Sequence, residues 1–401
     1  MKKNKLIILY PFFFKKYNWR KFEIDQLISE KDIKLEIHEL INIIAPKKIK
    51  PNNQKEHKII LRFKKIDDWI NFIEKETLKY NIFILNDNIN PFNKNSFLVK
   101  KKIYDLKKRD KLKIFEFRGA EVPESSVGIF KNLFKFLKRV FLKPSFFISS
   151  LKAKTFSKLD KWFIQSILPN YIIATNSQKL NLPCSNKVNF VEGSSIDYSN
   201  HLIFRKKKTR IFKKKFAIYI DSPLPEGSDI NIMNYNFPFE IKTWFKSLNT
   251  FFNFIENKFN IKIVIAPHPK NDIKILKKIY KGREITKHPL ALISKHSDFF
   301  ISRNSTAISF AVIHKRPLFL VGNNEHKKKV YYRDLELYRD ISKELKCGIV
   351  NIDEKYNKKI LQKKLKINQK SYHSYKINYL KHAKTEQPNS KILAKLIRST
   401  N

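Results

Sequence analysis

The sequence predicts an α/β protein made of two Rossmann-like domains that face a cleft. Three observations carry this. Short β-branched runs alternate with helical patterns along the chain, as expected of parallel sheets with helices on their faces. At 401 residues the chain is long enough for two ordinary cores. Several apolar runs stop at residues able to do chemistry, as at Pro267-His268-Pro269, and ligands of open α/β sheets bind where strands end.

In the first half, Leu6–Phe13 is the first core strand. Its basic start and short apolar run imitate a signal peptide, but no small-residue cleavage site follows. Trp19 to Glu30 has helical spacing, and the strands expected next are Lys34–Ile41, Ile59–Phe63, Asn81–Leu85, Lys113–Phe117 and Tyr171–Ala174. The stretch 128–163 mixes Phe and Leu with Lys and Arg, so it reads as a basic, broken helix. Such a helix either packs on the sheet or lies in a membrane interface.

The basic run 205–215, RKKKTRIFKKK, marks a boundary between a first domain at 1–205 and a second at 206–375, followed by a helical tail at 376–401. Beyond it the expected order is strand Phe216–Asp221, helix Phe239–Asn257, a strand ending at His268, helix Asp272–Tyr280, strand Asp298–Ser302, helix Ala307–Ile313, and strands Pro317–Val321 and Gly348–Ile352.

Composition narrows the partners. Lys+Arg 83 against Asp+Glu 36 gives a formal net charge of +47, which usually raises nucleic acid. Here the lysines run through the whole chain, and the low glycine count of 7 accompanies the Lys, Asn, Ile and Phe bias of an AT-rich coding sequence. With no basic-aromatic RNA signature or helix-turn-helix pattern, nucleic acid is disfavoured and an anionic membrane surface is at least as good a partner for the positive charge. The 2 cysteines provide neither a disulfide framework nor a zinc ligand set, which fits a reducing cytoplasm. No apolar stretch reaches the ~18 residues a spanning helix needs.

The candidate site is a phosphate site. His268 stands at a strand end, and Arg303-Asn304-Ser305-Thr306 joins the next strand to an apolar helix. Amides at a helix start favour a phosphate, Ser305 or Thr306 can cap it, and Arg303 adds a guanidinium. The plain alternatives are a histidine that merely ends a strand and an ordinary helix cap. GxGxxG and Walker patterns are absent, which disfavours dinucleotide and P-loop enzymes. No metal-ligand grouping or DxD motif occurs either, so no metal or other cofactor is expected.

Pro225-Glu226-Gly227, His268-Pro269 and Ser305-Thr306, in that order, resemble the acidic-Gly, His-Pro and Ser/Thr motifs of bacterial GT-B glycosyltransferases of the sialyltransferase-like and capsule type. Gly193–Leu202 resembles a His-Ser-x-Asp-Tyr-Asp segment of surface-polysaccharide proteins, with Ser194 in the His position and Ser199 in that of the second Asp. Tyr219–Gly227 is similar to their Tyr-x-Asp-Gln-Pro stretch, with Ser222 replacing Gln. The likeness spans Phe216–Val321, and the first half shares only the layout.

The resemblance implies metal-independent transfer from a nucleotide-sugar donor, CMP-, UDP- or GDP-linked, to a glycan or lipid-linked acceptor at the inner membrane face. A polyol-phosphate transferase of teichoic-acid type is the second enzyme reading, and a basic nucleic-acid-binding protein the third. Glu226, Asp221 and Asp229 are the candidates for general base, unless Asp221 only caps a turn. His268, Arg303, Asn304, Ser305 and Thr306 would hold the donor phosphate. Glu325 either meets the ribose hydroxyls or is a solvated loop charge.

Overall fold

The computed structural model describes residues 2–44, 57–86, 94–118, 168–175, 188–207, 210–222, 240–269, 271–303, 305–324, 332–382 and 384–400. Within them the chain forms two parallel-sheet α/β units, the GT-B type of fold. The first unit takes the chain through Gly193 and again from Gln387; the second holds Ser194–Glu386. The sequence pattern groups 194–205 with the first domain and 376–401 as one tail. Contacts instead put the helix Ile196–Phe204 in the second unit and return the last helix, Asn389–Ser399, to the first.

Among the described residues the first unit has seven strands: β1 (Lys3–Tyr10), β2 (Ile33–Glu39), β3 (Ile60–Arg62), β4 (Tyr80–Asn86), β5 (Leu112–Arg118), β6 (Tyr171–Ala174) and β7 (Asn189–Glu192), in the order β3-β2-β1-β4-β5-β6-β7. All neighbours are parallel. Alternation along β1 sends Leu6 and Ile8 to one buried face, and Ile7 and Leu9 to the other. The strand stops at Tyr10 because Pro11, next in sequence, cannot donate to the ladder.

One predicted helix is two. Trp19–Glu30 divides into Lys16–Lys21 and Ile24–Ile28 because Glu23 adopts a left-handed φ of 54°. Its carboxylate accepts the Ser390 N–H at 2.9 Å and the Ser390 hydroxyl at 2.6 Å, so the returning C-terminal helix holds the break. That helix buries Leu393, Ala394 and Ile397 beside Ile24 and Leu27. Gly193, at the crossover, is required by space: a Cβ there would meet Ile173 Cγ2 at 2.4 Å.

Among the described residues the second unit has six strands: β8 (Phe216–Ile220), β9 (Lys262–Ala266), β10 (Glu284–Ile285), β11 (Phe300–Ser302), β12 (Leu318–Gly322) and β13 (Gly348–Asn351). Their order is β10-β9-β8-β11-β12-β13, parallel throughout. The sheet separates two cores, with Ile218 and Ile220 facing one and Ala217 and Tyr219 the other. The long helix Ile241–Phe259 covers the Tyr219 face with Trp244, Leu248, Phe251, Phe252 and Ile255. Glu240 caps its start by accepting the Lys242 and Thr243 amides, and Asn260 ends it in the left-handed region. Among the described residues no helix is long and apolar enough to cross a membrane.

Candidate functional site

The chain runs β8, β9, β10 towards one side of the second sheet, then returns to place β11 on the other side of β8. Strand order therefore reverses between β8 and β11, and the crevice beyond their carboxyl ends is where open α/β sheets bind ligands. Ile220 of β8 is in register with Ala266 of β9 and with Ser302 of β11. The next residues in sequence, Asp221, Pro267 and Arg303, thus leave the sheet side by side, with His268 one step further on.

Asp221 is buried at 2% exposure and heavily engaged. Its Oδ1 accepts the Tyr280 hydroxyl at 2.5 Å and its Oδ2 the Asn271 side-chain amide at 2.6 Å. Asn271 also donates to the Ser222 carbonyl at 2.9 Å, so the carboxylate ties the loop after β8 to the turn after β9. Burial pushes Asp221 up to about 6, against hydrogen bonds from Tyr280 and Asn271 that favour the anion. No sequence pattern points to Asn271 and Tyr280 as partners of this group. The only local trace was Asp272, next to Asn271, which caps the helix Ile273–Ile279 through the Lys274 amide.

His268 is largely desolvated, and burial lowers its imidazole to about 4, so the ring is neutral near pH 7. A neutral imidazole can donate one N–H to an oxygen. Arg303 is 6% exposed. Its charge offsets part of the upward push that burial and Asp221 exert on the Tyr219 hydroxyl, which places the guanidinium by the strand reversal. Ser302, just before it, is fully buried, with its Oγ lacking a hydrogen-bond partner among the described residues.

The helix expected after Arg303 is a 3₁₀ turn, Thr306–Ile308, leading into Ser309–Ile313. Ser305 is its cap and accepts the Ala307 amide at 3.3 Å, while Thr306 is exposed. Of the residues predicted for the site, Asp221, His268, Arg303, Ser305 and Thr306 belong to the carboxyl-end edge of this one sheet. Glu226, Asp229, Asn304 and Glu325 lie outside the described residues, as does the basic stretch 128–163.

No protein-family model matches the sequence, and no curated protein does. Solved structures do match in fold. The wall teichoic acid polymerase TagF superposes with a TM-score of 0.52 at 12% identity, covering 99% of this chain and 88% of that one. A putative UDP-N-acetylglucosamine 2-epimerase from Listeria monocytogenes gives 0.48 at 10% identity, over 99% of this chain and 96% of that one. At such identities the polymerase likeness speaks for the two-unit fold alone.

Proposed function

We propose that the chain is a transferase that uses a nucleotide-activated donor, moving a sugar onto a surface-glycan or lipid-linked acceptor. The observation that carries this reading is the meeting of Asp221, His268 and Arg303 at the strand reversal of the second sheet. Arg303 supplies the fixed positive charge for a donor phosphate, and neutral His268 an N–H for the oxygen that becomes the leaving group. Asn304 and the amides at Ser305 and Thr306 complete the grip, and Glu325 meets the ribose. Asp221, with both oxygens occupied, serves best as the post that holds the His268 turn. That leaves Glu226 as the preferred base for the acceptor hydroxyl, with Asp229 next. No resident metal is required by this assignment.

The test is a melting-temperature panel with CMP, UDP, GDP and CDP-glycerol, because a ligand that binds only the folded state raises the midpoint. One of them should stabilise the parent protein, and His268→Ala and Arg303→Ala should each weaken its binding by about tenfold or more. Unaltered affinity in both folded variants removes the phosphate site. A response to CDP-glycerol alone moves the reading to a polyol-phosphate transferase. Once a donor is known, Glu226→Gln should slow transfer by roughly 10²–10⁴-fold with little change in donor binding.

A further inference from the structure

Two helices of the second unit lie side by side, Ile196–Phe204 and Ser309–Ile313, and the pairing runs in the same direction along both. Near their starts the Ser309 hydroxyl donates to Asp197 Oδ2 at 2.5 Å; towards their ends the rings of His201 and His314 meet edge-on with centroids 5.0 Å apart. Ser309–Ile313 begins one turn after the Arg303–Thr306 loop, at the edge where β11 ends. Ile196–Phe204 leads towards the beginning of β8, so its start belongs to that same carboxyl-end edge. Its first turn is itself anchored: Ser195 caps it by accepting the Tyr198 amide at 3.2 Å, and the Ser195 N–H donates to the Leu380 carbonyl at 2.7 Å.

From this geometry we infer that Asp197 is a positioning residue for the donor-phosphate loop, acting through Ser309 to fix the turn that follows residues 303–306. The inference rests on the donor reading above. A charged acceptor makes the bond a strong one, and it falls on the first turn of the segment whose preceding residues would wrap the phosphate. Burial raises the Asp197 carboxyl while the Ser309 hydrogen bond favours the anion. Asp197 lies in Gly193–Leu202, the segment with a partial motif resemblance. The structure gives its aspartate a partner, 112 residues further along the chain.

The experiment uses whichever nucleotide of the four-compound panel most raises the melting temperature of the full-length parent. Asp197→Leu and Ser309→Ala should each weaken that nucleotide by about tenfold, and the double variant should be no weaker than the worse single one. Asp197→Asn keeps an oxygen for the Ser309 hydroxyl and should stay within about threefold of the parent, a rescue that loss of packing would not give. Leu202→Ala, further along the same helix and 6% exposed in the parent, should lower the melting temperature without altering affinity. Parent-like binding by Ser309→Ala, or an equal loss in Leu202→Ala, overturns the positioning role and leaves the donor site standing. Failure of the parent to bind any of the four overturns the donor reading and this inference with it. Should Asp197→Leu not fold, Ser309→Ala and Asp197→Asn decide the matter.

Discussion

In the first unit Lys5 is fully buried and ion-paired, with Glu36 at 2.7 Å and Glu76 also in contact, whereas in the second unit the side-chain donors that meet the buried Asp221, among the described residues, are the neutral Tyr280 and Asn271. The Lys5 cluster extends through His38. Trp69 Nε1–H donates to His38 Nδ1 at 3.1 Å, which leaves Nε2 to carry the proton and face Glu36 at 3.4 Å. Burial pushes Glu36 up, but hydrogen bonds from His38 and Lys5 and the charge of Lys5 outweigh it and hold the carboxyl down at about 2. Among the described residues no cation is hydrogen-bonded to Asp221, and burial wins. The same desolvation thus gives opposite results according to whether a counter-charge is built in. A paired cluster suits a scaffold, and a carboxyl kept near its titration point suits the edge where the donor is proposed to bind.

The largest expected effect breaks the first half of this contrast. Lys5→Met leaves Glu36 and Glu76 buried without their cation and should destabilise the fold by about 3–5 kcal/mol, measured by denaturant unfolding. A cost under about 1 kcal/mol would mean that the carboxylates find water or other partners, and the contrast with Asp221 would fail.

Asp221→Asn sharpens the second half. The folded pKa is raised from 3.8 to about 6, so the native state binds the proton more tightly, and the parent loses stability as pH rises through that window. The asparagine does not titrate. Relative to the parent, the variant should therefore gain on the order of 3 kcal/mol between pH 3.5 and pH 7.5. A flat difference would show that Asp221 is ionised at ordinary cost.

His314 carries the opposite sign. Burial, helped by the charges of His201, Arg316, Lys295 and His296, lowers its folded pKa from 6.5 to about 3, so the unfolded chain binds more protons and stability falls as pH drops below 6.5. The parent should lose about 2 kcal/mol through this group by pH 5, and His314→Phe should remove that part of the acid slope. Urea unfolding of both proteins at pH 7 and pH 5 checks it. Parallel slopes would mean that the imidazole is protonated in the fold.

The smallest effect calibrates exposed pairs against buried ones. Arg398 reaches Asp32 Oδ1 and Glu30 Oε2, both at 2.6 Å, and fastens the C-terminal helix at the surface. Arg398→Ala should cost about 1 kcal/mol or less, and the difference should shrink in high salt.

The strands that build the cores were legible because burial on both faces leaves nearly continuous apolar runs. β4, β5, β6, β8 and β12 all fall within a residue or two of their expected bounds. β7, with pattern NFVE, and the two-residue β10 leave no apolar run in the sequence, whereas the similarly short edge strand β3 does. At the candidate site, the strand-end positions of His268 and Arg303 can be read from the strands that precede them. Tyr280 and Asn271 could not, since a hydrogen-bond partner 59 or 50 residues away leaves no local periodicity.

The sequence alone determined the class of fold, the strands of both cores and which residues stand at strand ends, because these follow from alternation, turn chemistry and the fixed direction of parallel strands. Tertiary structure decided which of those ends become neighbours. It also decided that the chain returns through 387–401 to the first unit, that Glu23 breaks a helix to hold Ser390, and that Asp197 answers Ser309. These depend on long-range pairing, where a buried donor must find its acceptor wherever packing supplies one.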